Sequence, residues 1–137
     1  MFDPVAFTSG ALAFLLAFLL AGVFALAFKL AYQAITPHNE KRLIREGNVA
    51  AAVALGGAIL GYVIPLASAL SQTHSLAEFA AWALLAGVIQ IVAFWTVRQA
   101  AMRDVSARIE RGEVAAAIYL AAISLAVGVI NAACMTA

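Results

Sequence analysis

Four long stretches without a charged side chain constrain the fold of this chain more than any other feature of its sequence. A helix needs about 20 apolar residues to cross the hydrocarbon core of a bilayer, and each stretch offers roughly that length or more. The polar segment SQTHS (71–75) ends the second stretch, so the predicted spans are residues 6–30, 48–70, 76–98 and 113–134. The uncharged stretches lie between Asp3 and Lys29, between Glu46 and Glu78, between Glu78 and Arg98, and after Glu113.

The proportion of apolar residues argues against a soluble domain. Hydrophobic residues make up 66% of the chain and charged residues 11%, whereas soluble domains are about half apolar and about one quarter charged. A globule of 137 residues has too little interior to bury so much apolar surface. Barrel strands would alternate polar and apolar residues, which these segments do not. The predicted fold is an all-α integral membrane protein with four transmembrane helices, whose solvent is the lipid bilayer.

The positive charges are confined to two parts of the chain and predict its orientation. All eight Lys and Arg residues flank or occupy the connections after the first and third spans. Cytoplasmic loops carry an excess of these residues. The loops at 36–47 and 99–112, here called the first and second connectors, are therefore predicted to be cytoplasmic. Both termini are then expected on the opposite face, which is the periplasm for a bacterial inner membrane.

The chain matches itself at an offset of 65 residues, which indicates an internal duplication. LLAGV occurs at 19–23 and again at 84–88, and GNVAAAVAL at 47–55 aligns with GEVAAAIYL at 112–120. We therefore predict a first two-helix repeat at 1–72 and a second at 73–137, which together form one four-helix membrane domain. An even number of spans in each repeat inserts both copies the same way up, so the repeats are expected to be parallel.

The connectors contain helix caps. Thr36 is a plausible N-cap for a short helix whose first residue would be Pro37, and Gly47 is a plausible C-cap. Asn48 can then cap the second span. Glu113 occupies the corresponding place in the second connector, where the helix dipole favours a negative charge.

Small residues form a face on the second span. Gly57 and Gly61 form a GxxxG pair, which lets two helix backbones approach closely. The 65-residue offset places Ala122 and Ala126 at the corresponding positions of the fourth span. This face either packs within the four-helix unit or forms a subunit interface or pore lining. Pro65 removes a helical hydrogen bond to Gly61 and is expected to kink the second span.

Polar side chains inside or beside the spans are the candidate contacts for a solute. Such groups usually bond to another helix, but they can also mark a solute path. Gly128 and Asn131 interrupt the fourth span at a depth similar to that of Pro65, and matching interruptions in two repeats point to a binding site. No Asp, Glu, Lys or Arg is placed near the bilayer centre. The candidate polar residues are Asn48, Gln90, Glu113, Tyr119, Ser124 and Asn131.

The sequence contains no pattern of a known catalytic or metal site. HExxH, CxxC, GxSxG and a phosphate-binding glycine loop are all missing, so we predict no catalytic residue, no cofactor and no nucleic-acid partner. His38 is expected on the surface of the first connector and His74 in the turn on the opposite face, so they cannot share a metal. Cys134 is expected to be a small buried residue, and the alternative is a disulfide or metal contact between subunits.

Several segments together resemble the YjfL-like small inner-membrane proteins, which are domain of unknown function family three-fifty. The resemblance spans nearly the whole chain and implies a bacterial inner membrane and a two-helix domain present twice. Glu113 stands where the family has Asn, and a Glu there could bind a cation instead. The segments are ITPHNE (35–40), the Asn-x-Ala-Ala corner (48–51), LGYVIPLASA (60–69), FAAW (79–82), VIQ (88–90) and INAACMT (130–136).

Two functions fit these features. The first is a non-enzymatic oligomeric or accessory membrane subunit, which acts as a homo-oligomer or with a membrane partner protein. The alternative is a channel or facilitator for a small solute such as a cation or polyamine. The resemblance implies no activity. Its hint of an amine solute comes from the genetic contexts of family members, which include enzymes resembling polyamine ligases.

Overall fold

The computed structural model describes residues 1–136 and contains six helices in that part of the chain. Four of them are long and apolar enough to cross a membrane, which confirms the predicted all-α fold with four spans. The two short helices lie in the connectors. The division into repeats at 1–72 and 73–137 stays a prediction. The helices are α1 (Pro4–Ile35), α2 (Glu40–Arg45), α3 (Val49–Gln72), α4 (Leu76–Ala100), α5 (Val105–Glu110) and α6 (Val114–Cys134).

Helices α3 and α6 form the centre of the bundle and run parallel to each other. Their contacts advance together along both helices, from Gly57 against Ala121 to the hydroxyl of Ser68, which donates to the carbonyl oxygen of Ala132 at 3.4 Å. Over half of the most apolar 18 residues of α3 are buried (56%). Many of the buried side chains of α3 are alanines, among them Ala50 and Ala54, because only small side chains let two helices approach so closely.

Helix α1 packs only through its C-terminal half, and it does so with aromatic rings. Phe28 stacks on Tyr62 of α3 with ring centroids 4.5 Å apart, and Tyr32 packs against Phe94 of α4 at 4.7 Å. Only 6% of the most apolar 18 residues of α1 are buried. Its 32 residues correspond to a length of about 48 Å. Helix α1 is therefore longer than a bilayer core and mostly unpartnered along its N-terminal half.

Two glycines with left-handed backbone end the connectors. Gly47 has φ +84° and Gly112 has φ +80°, a conformation that a residue with a β-carbon rarely adopts. Asn48 then caps α3, because its side-chain oxygen accepts a hydrogen bond from the backbone N–H of Ala51 at 3.0 Å. The chain thereby turns back into the bundle at the end that holds both connectors, here called the connector end.

The predicted start of the first connector helix was wrong by three residues. Helix α1 continues to Ile35, and the backbone N–H of Thr36 is used to close it, donating to the carbonyl of Tyr32 at 3.1 Å. Asn39 is the N-cap of α2 instead, and its side chain accepts from the backbone N–H of Arg42 at 3.0 Å. Pro37 lies in the linker between α1 and α2.

A link between the halves of the chain closes the end of α1. Arg98, in the last turn of α4, donates from Nη1 to the carbonyl oxygen of Ile35 at 3.3 Å. The last carbonyls of a helix have no partner within it, and a cation is favourable there. The arginine thus has a structural role in addition to its predicted role in topology.

Candidate functional site

The closest approach of two helices lies where α3 meets α6. A β-carbon at Gly57 would overlap Ala121. A β-carbon at Gly61 would stand 2.5 Å from the carbonyl oxygen of Ser124 and 3.0 Å from Gln90 Nε2. The glycines of the GxxxG pair therefore let α3 touch both α6 and the polar side chain of α4.

Pro65 explains why α6 has a glycine, Gly128, opposite the carbonyl group of Gly61. Proline has no N–H, so the carbonyl of Gly61 lacks its usual helical partner four residues later. A β-carbon at Gly128 would collide with this oxygen, so the oxygen faces the α-carbon of Gly128. Contacts between Cα–H groups and carbonyl oxygens recur where helices pack closely. Gly61, Gln90, Ser124 and Gly128 are here called the central cluster.

Ala122 and Ala126 do not take the places that the 65-residue offset predicts. Both are exposed, and α3 instead meets Ala121, Ser124 and Gly128. Helix α6 packs against two helices, because these residues contact α3 and Asn131 contacts α4. Helix α6 is consequently turned about its axis relative to the position that exact equivalence with α3 would require.

Two of the predicted polar residues join α4 to α6. Gln90 Nε2 donates to the carbonyl oxygen of Ser124 at 3.3 Å, and Asn131 Nδ2 donates to the carbonyl oxygen of Ala86 at 3.1 Å. Both side chains are buried. Ser124 contributes its backbone to this contact. The oxygen Gln90 Oε1 is buried and has no hydrogen-bond partner among residues 1–136.

Tyr119 lies apart from these contacts, whereas Tyr62 belongs among them although the sequence did not single it out. Tyr119 is 46% exposed on the outside of α6. Tyr62 is buried one residue after Gly61, and its hydroxyl donates to the carbonyl oxygen of Ala83 at 2.8 Å. Tyr62 could have been identified from the sequence, because it stands beside the small-residue face of the second span. A tyrosine buried there needs a hydrogen-bond partner for its hydroxyl.

Asn48 and Glu113 occupy corresponding corners but make different bonds. Besides capping α3, Asn48 donates from Nδ2 to the carbonyl oxygen of Ile109 at 2.9 Å. Glu113 makes no cap bond; its Oε2 accepts from Arg108 at 3.1 Å and from Arg111 at 3.2 Å. Asn48 therefore holds the two connectors together, and the carboxylate of Glu113 is engaged with arginines.

A buried pair of ionisable residues lies in the first connector, where the sequence predicted a surface histidine. That prediction was wrong: His38 is 4% exposed and Glu40 is 2% exposed. His38 Nε2 lies 3.2 Å from Glu40 Oε1, which makes an ion pair when the histidine is protonated. Their oxygen and nitrogen atoms, and the Tyr32 hydroxyl, form no aligned hydrogen bond within residues 1–136.

The burial of this pair follows from the extended backbone before α2. Thr36, His38 and Glu40 are buried, and the residues between them, Pro37 and Asn39, are exposed. Successive side chains of an extended segment point to opposite sides, and this segment lies against the bundle. The alternation was visible in the sequence only as TPHNE, in which no apolar residue marks the inner side.

A cavity of about 700 Å³ opens beside this pair. Buried His38 and Glu40 form part of its wall, together with the cations Lys29, Lys41 and Arg45. Among residues 1–136, no three His, Cys, Asp or Glu side chains lie close enough to hold a metal ion. The cavity therefore combines a positively charged edge with a buried ionisable pair.

Comparisons with known proteins agree with this architecture. A model of the family described as Domain of Unknown Function (DUF350) matches residues 6–135. UPF0719 inner membrane protein YjfL of Escherichia coli (strain K12) is 45% identical over 105 residues, which cover 77% of this chain and 79% of that protein. The protein of the same name from Escherichia coli O157:H7 matches with the same identity and coverage. No solved structure matches the chain. On this evidence the chain belongs to the DUF350 family of membrane proteins.

Proposed function

We propose that the protein is a non-enzymatic membrane subunit that associates with copies of itself through α1. The observation that supports this proposal is the unpartnered N-terminal half of α1. The uncharged part of α1 that precedes Lys29 corresponds to about 38 Å and exceeds the bilayer core of about 30 Å. Such mismatch is relieved by tilting or favours association with another helix. Ala13 and Ala17 lie four residues apart on this half of the helix, a spacing that suits close helix pairing in lipid.

The use of the internal polar groups also supports a structural role. The amide N–H groups of Gln90 and Asn131 and the hydroxyl of Tyr62 all donate to backbone carbonyls of a neighbouring helix. Bonds of this kind hold helices together in lipid, at about 1 kcal/mol each. Groups engaged in this way stabilise one arrangement of the bundle.

Cysteine cross-linking in membranes tests the proposal. In a Cys134→Ala background, Ala13→Cys or Ala17→Cys places one thiol on the unpartnered half of α1. Two copies related by a twofold axis along the membrane normal bring equal depths together, so oxidation is expected to produce a disulfide dimer. The matched control is Ala122→Cys, which is exposed on α6 and is expected to stay monomeric. A monodisperse monomer in a mild detergent, with no cross-link at either α1 position, would contradict the proposal.

We further propose that the connector end faces the cytoplasm of a bacterial cell, with both termini in the periplasm. The distribution of Lys and Arg supports this orientation. A labelling experiment that tests it is described in the Discussion.

A channel or facilitator for a small cation or polyamine is a second candidate, supported by Gln90. Its Oε1 atom is buried and unpartnered within residues 1–136, and a free acceptor inside a membrane protein suits a solute that donates hydrogen bonds. Liposomes containing the protein should then leak the solute, and Gln90→Leu should reduce the flux. Equal flux in protein-free liposomes for ions and for amines would rule this candidate out.

A further inference from the structure

The cations of this protein fall into two groups, according to whether they have a partner. Five of the eight have one within residues 1–136. Arg42, Arg108 and Arg111 form ion pairs, and Arg98 and Arg103 donate to backbone carbonyls. The remaining three form no ion pair and donate no side-chain hydrogen bond in this part of the chain, and all three line the cavity at the connector end: Lys29, Lys41 and Arg45.

The charge of the cavity favours an anion. Counting Glu40 as ionised and His38 as neutral, three cations against one carboxylate leave the lining with a net charge of +2. The carboxylate oxygens of Glu40 are inaccessible to solvent, whereas Lys41 and Arg45 are exposed. An approaching ligand therefore meets the cations first.

The position of the cavity favours a ligand that is partly apolar. Lys29 lies within α1, six residues before the helix ends at Ile35, which is about 9 Å along the axis. Leu30, Ile44 and Leu55 line the same cavity. A phosphate group could reach the cations while an acyl chain lies along these apolar residues.

We infer that this cavity binds the phosphate headgroup of an anionic glycerophospholipid in the leaflet at the connector end. Basic pockets beside spanning helices are suited to such headgroups. Lys41 and Arg45 on α2 and Lys29 on α1 approach the phosphate from two sides, and the acyl chains remain in the bilayer. This inference is independent of the proposed self-association, because the cavity is formed by one copy of the chain.

Lipid titration of the full-length protein in detergent tests the inference, with phosphatidylglycerol and phosphatidylcholine as probes. The wild type is expected to prefer phosphatidylglycerol. Each cation near an anionic headgroup strengthens lipid binding. The double variant Lys41→Gln with Arg45→Gln lacks two of them and should therefore bind phosphatidylglycerol about 30-fold more weakly. Both side chains are exposed, and thermal unfolding in detergent confirms that the double variant is folded.

The matched control changes the same net charge at two arginines that already have partners. Arg42→Gln with Arg111→Gln removes one cation from α2 and one from the second connector, neither of which lines the cavity. Binding of phosphatidylglycerol should change less than about 3-fold in this variant. Equal weakening in both double variants would overturn the inference, because it would indicate attraction to net charge alone.

Inorganic phosphate distinguishes a lipid from a soluble anion. The inference requires that millimolar phosphate alone bind weakly and that the bound lipid be retained after purification. Binding of phosphate that depends on Lys41 and Arg45, without any preference for phosphatidylglycerol, would overturn the assignment to a lipid.

Discussion

The carbonyl oxygen of Gly61 lies against the α-carbon of Gly128, one turn before the proline that deprives this carbonyl of its helical partner. The proline and the close contact are thus parts of one arrangement. Pro65 leaves an acceptor without its helical donor inside the bundle, and a glycine on the parallel helix leaves room for that oxygen.

Replacing Gly128 with alanine should therefore destabilise the bundle. A β-carbon at this position collides with backbone atoms, which cannot move aside as a side chain can, and overpacking of this kind costs about 1–3 kcal/mol. The measurement is the free energy of unfolding in mixed micelles. Gly56→Ala is the control, because nothing lies within 4 Å of a β-carbon there. Equal stability of the two variants would contradict the close approach.

The two tyrosines of α3 and α6 form a second matched pair. Tyr62→Phe removes the hydroxyl that donates to the carbonyl of Ala83 and should lower the free energy of unfolding by about 1 kcal/mol. Tyr119→Phe removes a hydroxyl from an exposed side chain and should change stability by less than about 0.3 kcal/mol. A larger loss at Tyr119 would indicate that this hydroxyl is engaged, for example at a subunit contact.

The corresponding corners at Asn48 and Glu113 should respond differently to substitution. Asn48→Ala removes a helix cap and a bond to the second connector, which should cost about 1–2 kcal/mol. Glu113→Gln weakens ion pairs of a half-exposed carboxylate and should cost less than about 1 kcal/mol. Asn48→Asp separates the two roles of Asn48, since it keeps the cap and loses the donor. Thermal unfolding of the three variants is the measurement.

The orientation can be tested with the natural cysteine. Cys134 is exposed at the end of α6, contrary to the expectation of a buried thiol, because α6 turns this residue away from its neighbours. A membrane-impermeant maleimide should label it in cells whose inner membrane is intact. In a Cys134→Ala background, Lys41→Cys should react only after that membrane is permeabilised. Labelling in the reverse order would overturn the proposed topology.

The spans were predictable because lipid imposes one requirement, a long uncharged helix, which a single sequence displays directly. The rotation of α6 was not predictable, since it depends on α3 and α4 together; Ala122 and Ala126 had the right residue type but the wrong direction. The burial of His38 was missed for a related reason. Polar residues in a connector ordinarily predict solvent exposure. His38 and Glu40 are buried because the connector packs against the bundle, which the sequence does not display. Asn48 was placed correctly as a cap, because caps depend on residues close in sequence.

The bond from Asn48 to Ile109 and the bond from Arg98 to Ile35 have a consequence for how the chain matures during synthesis. Each joins groups more than 60 positions apart, at separations of 61 and 63 residues. When only the first two spans have been synthesised, the Asn48 amide nitrogen and the last turn of α1 lack these hydrogen-bond partners, because Ile109 and Arg98 have not yet been made. The first half of the chain can thus enter the membrane early, yet its connector reaches its final form only after the second half arrives.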